Sequence, residues 1–205
     1  MVPWALSYPR FRLRPPGKVM TLFATLALLS SLSHAAGVPG PNVHVGDHAL
    51  LFSLPAVNED AALRAVARPH VALSDFTGVK AAFPAQAVVV QFIQRAGAEG
   101  QLQALNRLHK KYVNRGIRFL AIVADDGELA VLSEWVESQR LEFPVLRDAH
   151  RIVVDRYGIK QFPLTMVVDG RGEAGNGDIL ALGAPKEDIE VSLDAILAPL
   201  AEQGR

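Results

Sequence analysis

The sequence predicts an α/β domain, a sheet with helices on both faces, and three observations lead there. Ala87–Ile93 ("AVVVQFI") is rich in β-branched residues and nearly all apolar, as a strand covered on both faces must be. A second such run, "IRFLAIVAD" from Ile117, follows after one helix-length segment. Between and after these runs, apolar residues recur at helical spacing, so strands alternate with helices and the elements layer. Any parallel crossover in such a sheet is expected to be right-handed.

Taken in order, residues 37–45 form a Pro/Gly-containing linker. "HALLFSLPAV" (His48–Val57) reads as a short extended segment stopped by Pro55, and "NEDAALRAVARP" as a loop or a helical insert. "HVALSDFTG" (His70–Gly78) alternates apolar and polar residues and then turns at Gly78, which predicts a half-buried strand. After the strand at Ala87–Ile93, Leu102, Leu105, Leu108 and Tyr112 share one face of a helix over Glu99–Arg115, closed by Gly116. Beyond "IRFLAIVAD", Asp125 or Asp126 is expected to cap a helix over Glu128–Arg140, where Leu129, Leu132, Trp135 and Val136 share a face. "FPVLRD" reads as a short strand and "AHRIVVDRYG" as a short helix ending at Gly158. "PLTMVVDG", a strand opening at Pro163, connects through the hairpin-like "GRGEAGNG" to the strand "DILALG". The last helix has Pro185 near its first turn and acidic residues early. There is no internal repeat and no low-complexity tract.

The N-terminus reads differently. Arg10, Arg12, Arg14 and Lys18 precede an uncharged run, "VMTLFATLALLSSL" (Val19–Leu32), which ends at "SHAAGVPG" with small residues at Ser33 and Ala35. This is the pattern of a secretory signal peptide, cleaved near Ala35 or Ala36. The apolar run is ~14 residues, short of the ~20 that cross a bilayer. An uncleaved anchor is the alternative, and Met20 is a possible start. The expected organisation is therefore a signal peptide over 1–36 and one domain over 37–205, exported to the periplasm or beyond, with no stable membrane insertion after cleavage.

Composition excludes several functions. Lys+Arg and Asp+Glu both number 21, so the formal charge is zero. That gives no basic excess for nucleic acid. The chain has no cysteine, which removes disulfides, thiolate nucleophiles and zinc–thiolate sites. No nucleophile elbow, phosphate loop or dinucleotide glycine pattern occurs.

Several phrases, in order, resemble the thioredoxin-like redoxins. The similarity is greatest to the exported thiol–disulfide oxidoreductases of cytochrome maturation and to the alkyl hydroperoxide reductase/thiol-specific antioxidant (AhpC/TSA, peroxiredoxin-like) group. "VGDHALLFSLP" resembles their opening Gly-Asp-x-x-Pro-x-Phe-x-Leu, and "VALSDFTG" their Leu-x-Asp-Phe-x-Gly. "VVVQFI" resembles the strand leading into their active-site turn, and "GIRFLAIVADD" and "WVESQRLEFPVLRD" the middle of the family. "RYGIKQFPLTMVVDGRG" resembles Tyr-Gly-Val-x-x-x-Pro-x-Thr-Phe-Leu-Ile-Asp-x-x-Gly. The likeness runs from Val45 to Gly183 and implies a thioredoxin-like fold: a central mixed sheet with helices on both faces and an N-terminal β extension.

The departure from the family is as plain as the likeness. Counted from Phe92, the two family cysteines fall on or near Gly97 and Gly100, in the turn "RAGAEG". Thiol–disulfide exchange and peroxide reduction both begin from a thiolate. The turn also holds no serine to stand in, so no catalytic residue is assigned. The family's cis-proline, whose neighbouring backbone can pair with an extended peptide, matches Pro163; an ordinary trans proline opening a strand is the alternative. Arg95, Glu99, Gln94 and Phe162 are candidates to line the same groove, with Arg95 and the free N–H groups of the following helix able to meet an anion. A solvated turn is the alternative for these charges.

Metal binding is not expected. His44, His48, His70, His109 and His150 are scattered, and Met166 does not replace a thiolate. Asp47, Asp75 and Asp169 read as turn and strand-end residues. The paired Asp125 and Asp126 stand at a strand end, where sites of α/β sheets lie, but helix capping explains them more simply. The resulting expectation is an exported redoxin relative with no cofactor that binds a protein or peptide in the cell envelope or scaffolds an assembly. The alternatives are family-type redox work by a non-thiol route or with a partner, and a fold kept as structural filler.

Overall fold

In the computed structural model the described residues are 40–172, 175–184 and 189–202. The leader assigned to 1–36 and the start of the last helix at Pro185 lie outside them. Ala87–Ile93 forms the central strand, and all seven of its residues are buried. It lies between two neighbours because neither of its faces carries a charge and both are covered.

The elements run β1 (Ser53–Pro55), α1 (Glu59–Val66), β2 (His70–Ala72), β3 (Ala87–Ile93), α2 (Glu99–Tyr112), β4 (Ile117–Val123), α3 (Leu129–Ser138), β5 (Val145–Arg147), α4 (Ile152–Arg156), β6 (Leu164–Asp169), β7 (Ile179–Gly183) and α5 (Ile189–Glu202). β1 and β2 pair antiparallel as a separate ribbon, the expected N-terminal extension. The main sheet has the order β5-β4-β3-β6-β7. β3, β4 and β5 run parallel, and β6 and β7 run antiparallel to them, so the sheet is mixed as expected.

Side chains alternate across each strand, so the sheet divides the core in two. On one face Val88, Val90 and Phe92 of β3 meet Leu120, Ile122 and Met166, covered by Val153 and Val154 of α4 and by Phe52, Val71 and Phe76 from the N-terminal segment. On the other, Val89, Ile93, Phe119 and Val167 are covered by Leu102, Leu105 and Leu108 of α2, Leu132 and Val136 of α3, and Leu193 and Leu197 of α5. Lys111 of α2 also holds Asp194 of α5 at 2.5 Å, and Tyr112 donates to the same carboxylate. That pairing holds the Asp194 carboxyl below its ordinary range.

Two elements differ in extent from their sequence reading, and a third, left open in sequence, is resolved. The strand expected over His70–Gly78 ends at Ala72, because the Asp75 carboxylate accepts from Ala72 N–H at 2.8 Å and winds residues 73–75 into a 3-10 turn. The helix expected over Glu128–Arg140 is shorter, Leu129–Ser138, with Arg140 at φ 50° beyond it. The Asp125/Asp126 cap is absent: the helix starts after Glu128, which caps through backbone geometry with no side-chain bond. "NEDAALRAVARP", open between loop and helix in sequence, is α1, and Ala67 ends it in the left-handed region.

Candidate functional site

The site is built where β3 ends. Ile93 is its last residue, and Gln94–Ala98 turn the chain into α2. Gly97 takes φ 75°, a conformation that costs an L side chain roughly 1–2 kcal/mol. Glycine is therefore what lets the chain bend here, and a Cβ built on it would meet nothing within 4 Å. Gly100 is the second residue of α2 and is equally open, with no positive φ. Gly97 and Gly100, on or near which the sequence resemblance places the family's thiols, are thus exposed and bare.

Register brings the second loop beside this turn. Phe92 pairs with Leu164 across the β3–β6 ladder, so Pro163 lies next to the end of β3. The Phe162–Pro163 bond is cis. The strand starts at Leu164, one residue later than its sequence pattern suggests. Phe162 and Pro163 are half-buried, and the Arg151 guanidinium lies over the Phe162 ring at 5.6 Å.

A third loop arrives through β4. Val123 pairs with Ile93, and Ala124 N–H donates to the Ile93 carbonyl at 3.2 Å. This sets Asp125 against the turn, where its carboxylate lies 3.5 Å from the Arg95 guanidinium. The same carboxylate accepts from Gly127 N–H at 2.6 Å. Asp126 accepts from His150 N–H at 2.6 Å, and Arg147 donates to the carbonyls of Asp125 and Gly127. The paired aspartates, read in sequence as caps, instead fasten three loops at one end of the sheet.

The candidate groove residues therefore fall into separate groups. Arg95 is engaged by Asp125, and Glu99 accepts from Trp135 Nε1 of α3 at 3.3 Å. Phe162 packs with Arg151, and Gln94 is exposed. The scattered histidines stay apart: His44 pairs with Asp47, His48 with Asp178, and His109 stacks edge-on against Phe119. Among the described residues no three metal-capable side chains cluster. No helix among them is long and apolar enough to cross a membrane.

Two buried polar residues escape the sequence reading. Gln91, three positions before the turn and on the α2 face, is fully buried; its Nε2 donates to Thr165 at 3.4 Å while Oε1 has no partner. The signal was the lone polar residue in "AVVVQFI". Asp148 is fully buried and accepts from Val153 and Val154 N–H at 3.1 and 2.9 Å, which anchors the start of α4. Nothing local in "LRDAH" marks it as buried.

Comparison with known proteins agrees with this geometry. Residues 45–174 match the AhpC/TSA family. The chain is 31% identical over 75 residues to the thiol-disulfide oxidoreductase ResA of Halalkalibacterium halodurans, which covers 37% of this chain and 42% of the relative. It is 30% identical over 98 residues to ResA of Geobacillus kaustophilus, covering 48% of this chain and 55% of the relative. The chain thus spans about half the length of the curated relatives it matches. Among solved structures, one assigned as thiol:disulfide interchange protein DsbE from Chlorobium tepidum superposes with TM-score 0.60 at 24% identity, over 78% of this chain and 99% of that one. Peroxidoxin BcpB from Mycobacterium tuberculosis superposes with TM-score 0.56 at 18% identity, over 78% and 98%. These two likenesses show the shared thioredoxin-like fold. With that fold, the order of its motifs and a match over most of its domain, this cysteine-free chain belongs to the AhpC/TSA family.

Proposed function

We propose that this protein is an exported redoxin-fold binding protein that holds an extended peptide or protein segment and performs no thiol chemistry. The observation that carries the reading is the turn itself. It keeps the bend between β3 and α2 but holds no cysteine; the resemblance places the family's thiols on or near Gly97 and Gly100, and Gly97 stands at φ 75°. Exchange and peroxide reduction need a thiolate, and the chain offers none. What persists is the apposition of that turn with the Phe162–Pro163 loop, set by the Phe92–Leu164 pairing. In the family the backbone beside the proline pairs with extended peptide. The half-buried Phe162 ring and the exposed Ile152 nearby in sequence to Arg151 supply apolar surface for side chains. Export rests on the leader pattern in residues 1–36, and the cell envelope is where a partner is expected.

Two measurements test this. Purified protein should neither reduce insulin disulfides nor consume peroxide; turnover above a boiled control overturns the non-catalytic reading. Pull-down from cell-envelope extract with wild type and with Phe162→Asp should lose partners in the variant. Identical partners with both proteins would place binding elsewhere.

A further inference from the structure

A cavity of about 450 Å³ lies away from the turn, at the edge of the sheet. β5 pairs only with Ala121–Val123, so Arg118 and Phe119 at the start of β4 border the space between α1 and α2. His109 on this wall lies ten residues beyond Glu99 along α2, about 15 Å at the usual rise, so the cavity is separate from the groove. Its size is that of a small-molecule site, ~300–1,000 Å³.

The lining mixes apolar and charged side chains. Phe76 and Phe119 supply the apolar wall, and Arg64, Arg118, His109 and Glu142 the polar one. Glu142 is already held by Lys110 at 2.9 Å. Among the described residues neither Arg64 nor Arg118 forms an ion pair. Arg118 is half-buried and spends one N–H on the Val113 carbonyl at 2.9 Å. Burial lowers its pKa, as expected of a cation partly withdrawn from water without an ion-pair partner. Burial, the largest cause, lowers the pKa of His109; Glu142 opposes that shift, and Arg118, Arg64 and Lys110 add to it. The cavity wall itself holds Arg64 and Arg118 against Glu142, which Lys110 outside the wall already pairs, so positive charge is in excess there.

We propose that this cavity binds a small organic carboxylate with an apolar or aromatic body, the carboxylate on Arg64 and Arg118 and the body against Phe76 and Phe119. A guanidinium fork matches a carboxylate in two parallel hydrogen bonds, which are strongest where water is scarce. Glu142 in the wall disfavours a dianion such as a phosphate more than a monoanion.

The test uses the full chain and three probes followed by amide NMR. Phenylacetate carries head and body, inorganic phosphate only an anion, and benzyl alcohol only the body. Phenylacetate should give saturable shifts in α1, the last turns of α2 and the start of β4, with each other probe at least about tenfold weaker. Arg64→Gln should weaken phenylacetate about tenfold with an unchanged thermal midpoint, since that exposed side chain makes no hydrogen bond among the described residues. Ala65→Phe, which puts a ring into the cavity from its wall, should abolish the shifts. The proposal is overturned by no saturable shift with phenylacetate, by equal binding in wild type and Arg64→Gln, or by phosphate or benzyl alcohol binding as tightly as phenylacetate.

Discussion

The Asp125 carboxylate lies 3.5 Å from the Arg95 guanidinium and so fastens the turn after β3 to the loop after β4. Its side chain is 14% exposed, whereas Arg95 is 41% exposed, so the carboxylate is the structural partner of the pair. Asp125→Ala removes both this pair and the acceptor for Gly127 N–H, and should cost about 1–2 kcal/mol. Arg95→Ala should cost under about 1 kcal/mol, as half-exposed ion pairs do. Denaturant unfolding of both variants and the double variant checks this; a larger loss for Arg95→Ala would contradict it.

The turn makes an asymmetric prediction about restored thiols. Gly97→Cys places a side chain at φ 75° and should destabilise the protein by about 1–2 kcal/mol. Gly100→Cys enters a helix at an open position and should be neutral or stabilising by up to about 0.5 kcal/mol. Its thiol, in the first turn of α2, should titrate below an ordinary cysteine. Thermal melts and the pH dependence of alkylation measure the two effects.

Gln91 and Thr165 form a buried polar pair in which one oxygen has no partner. Thr165→Val leaves the Gln91 amide without its acceptor and should cost about 1–3 kcal/mol. Gln91→Met together with Thr165→Val removes both partners and should recover most of that loss. A double variant no more stable than Thr165→Val would show that the pair carries stability of its own.

Asp148 satisfies two N–H groups at the start of α4. Asp148→Ala should cost about 2–3 kcal/mol, and Asp148→Asn, which keeps one acceptor oxygen, about half as much. Amide hydrogen exchange should quicken first at Val153 and Val154.

His109 yields a prediction in pH. Burial holds its pKa below 6.5, so the unfolded chain takes up the proton first as pH falls. The stability tied to the neutral ring is fully present above 6.5 and is lost as pH falls through the folded value below it. Unfolding free energies measured from about pH 7.5 to about pH 5 should decline in wild type and decline less in His109→Gln. Equal slopes would show that the ring is not the titrating group.

Local chemistry determined much of this protein. The continuous apolar run of β3, the helical spacing of Leu102, Leu105 and Leu108, and the glycine at 116 each announce an element, because period and turn residues act within a few positions. The absence of cysteine, on which the proposed loss of thiol chemistry rests, is legible without any structure. Tertiary structure decided the partners. Asp125 and Asp126 look like helix caps in a window of residues, yet Arg95 and the His150 backbone compete for them and win, because β4 delivers them beside chains far away in sequence. Asp75 cut a predicted strand short through a bond to Ala72 that alternation alone does not reveal. The cavity beside Arg118 exists because β5 is three residues long and leaves half of β4 uncovered. Strand register and loop meeting points depend on residues distant in the chain, and periodicity carries no information about them.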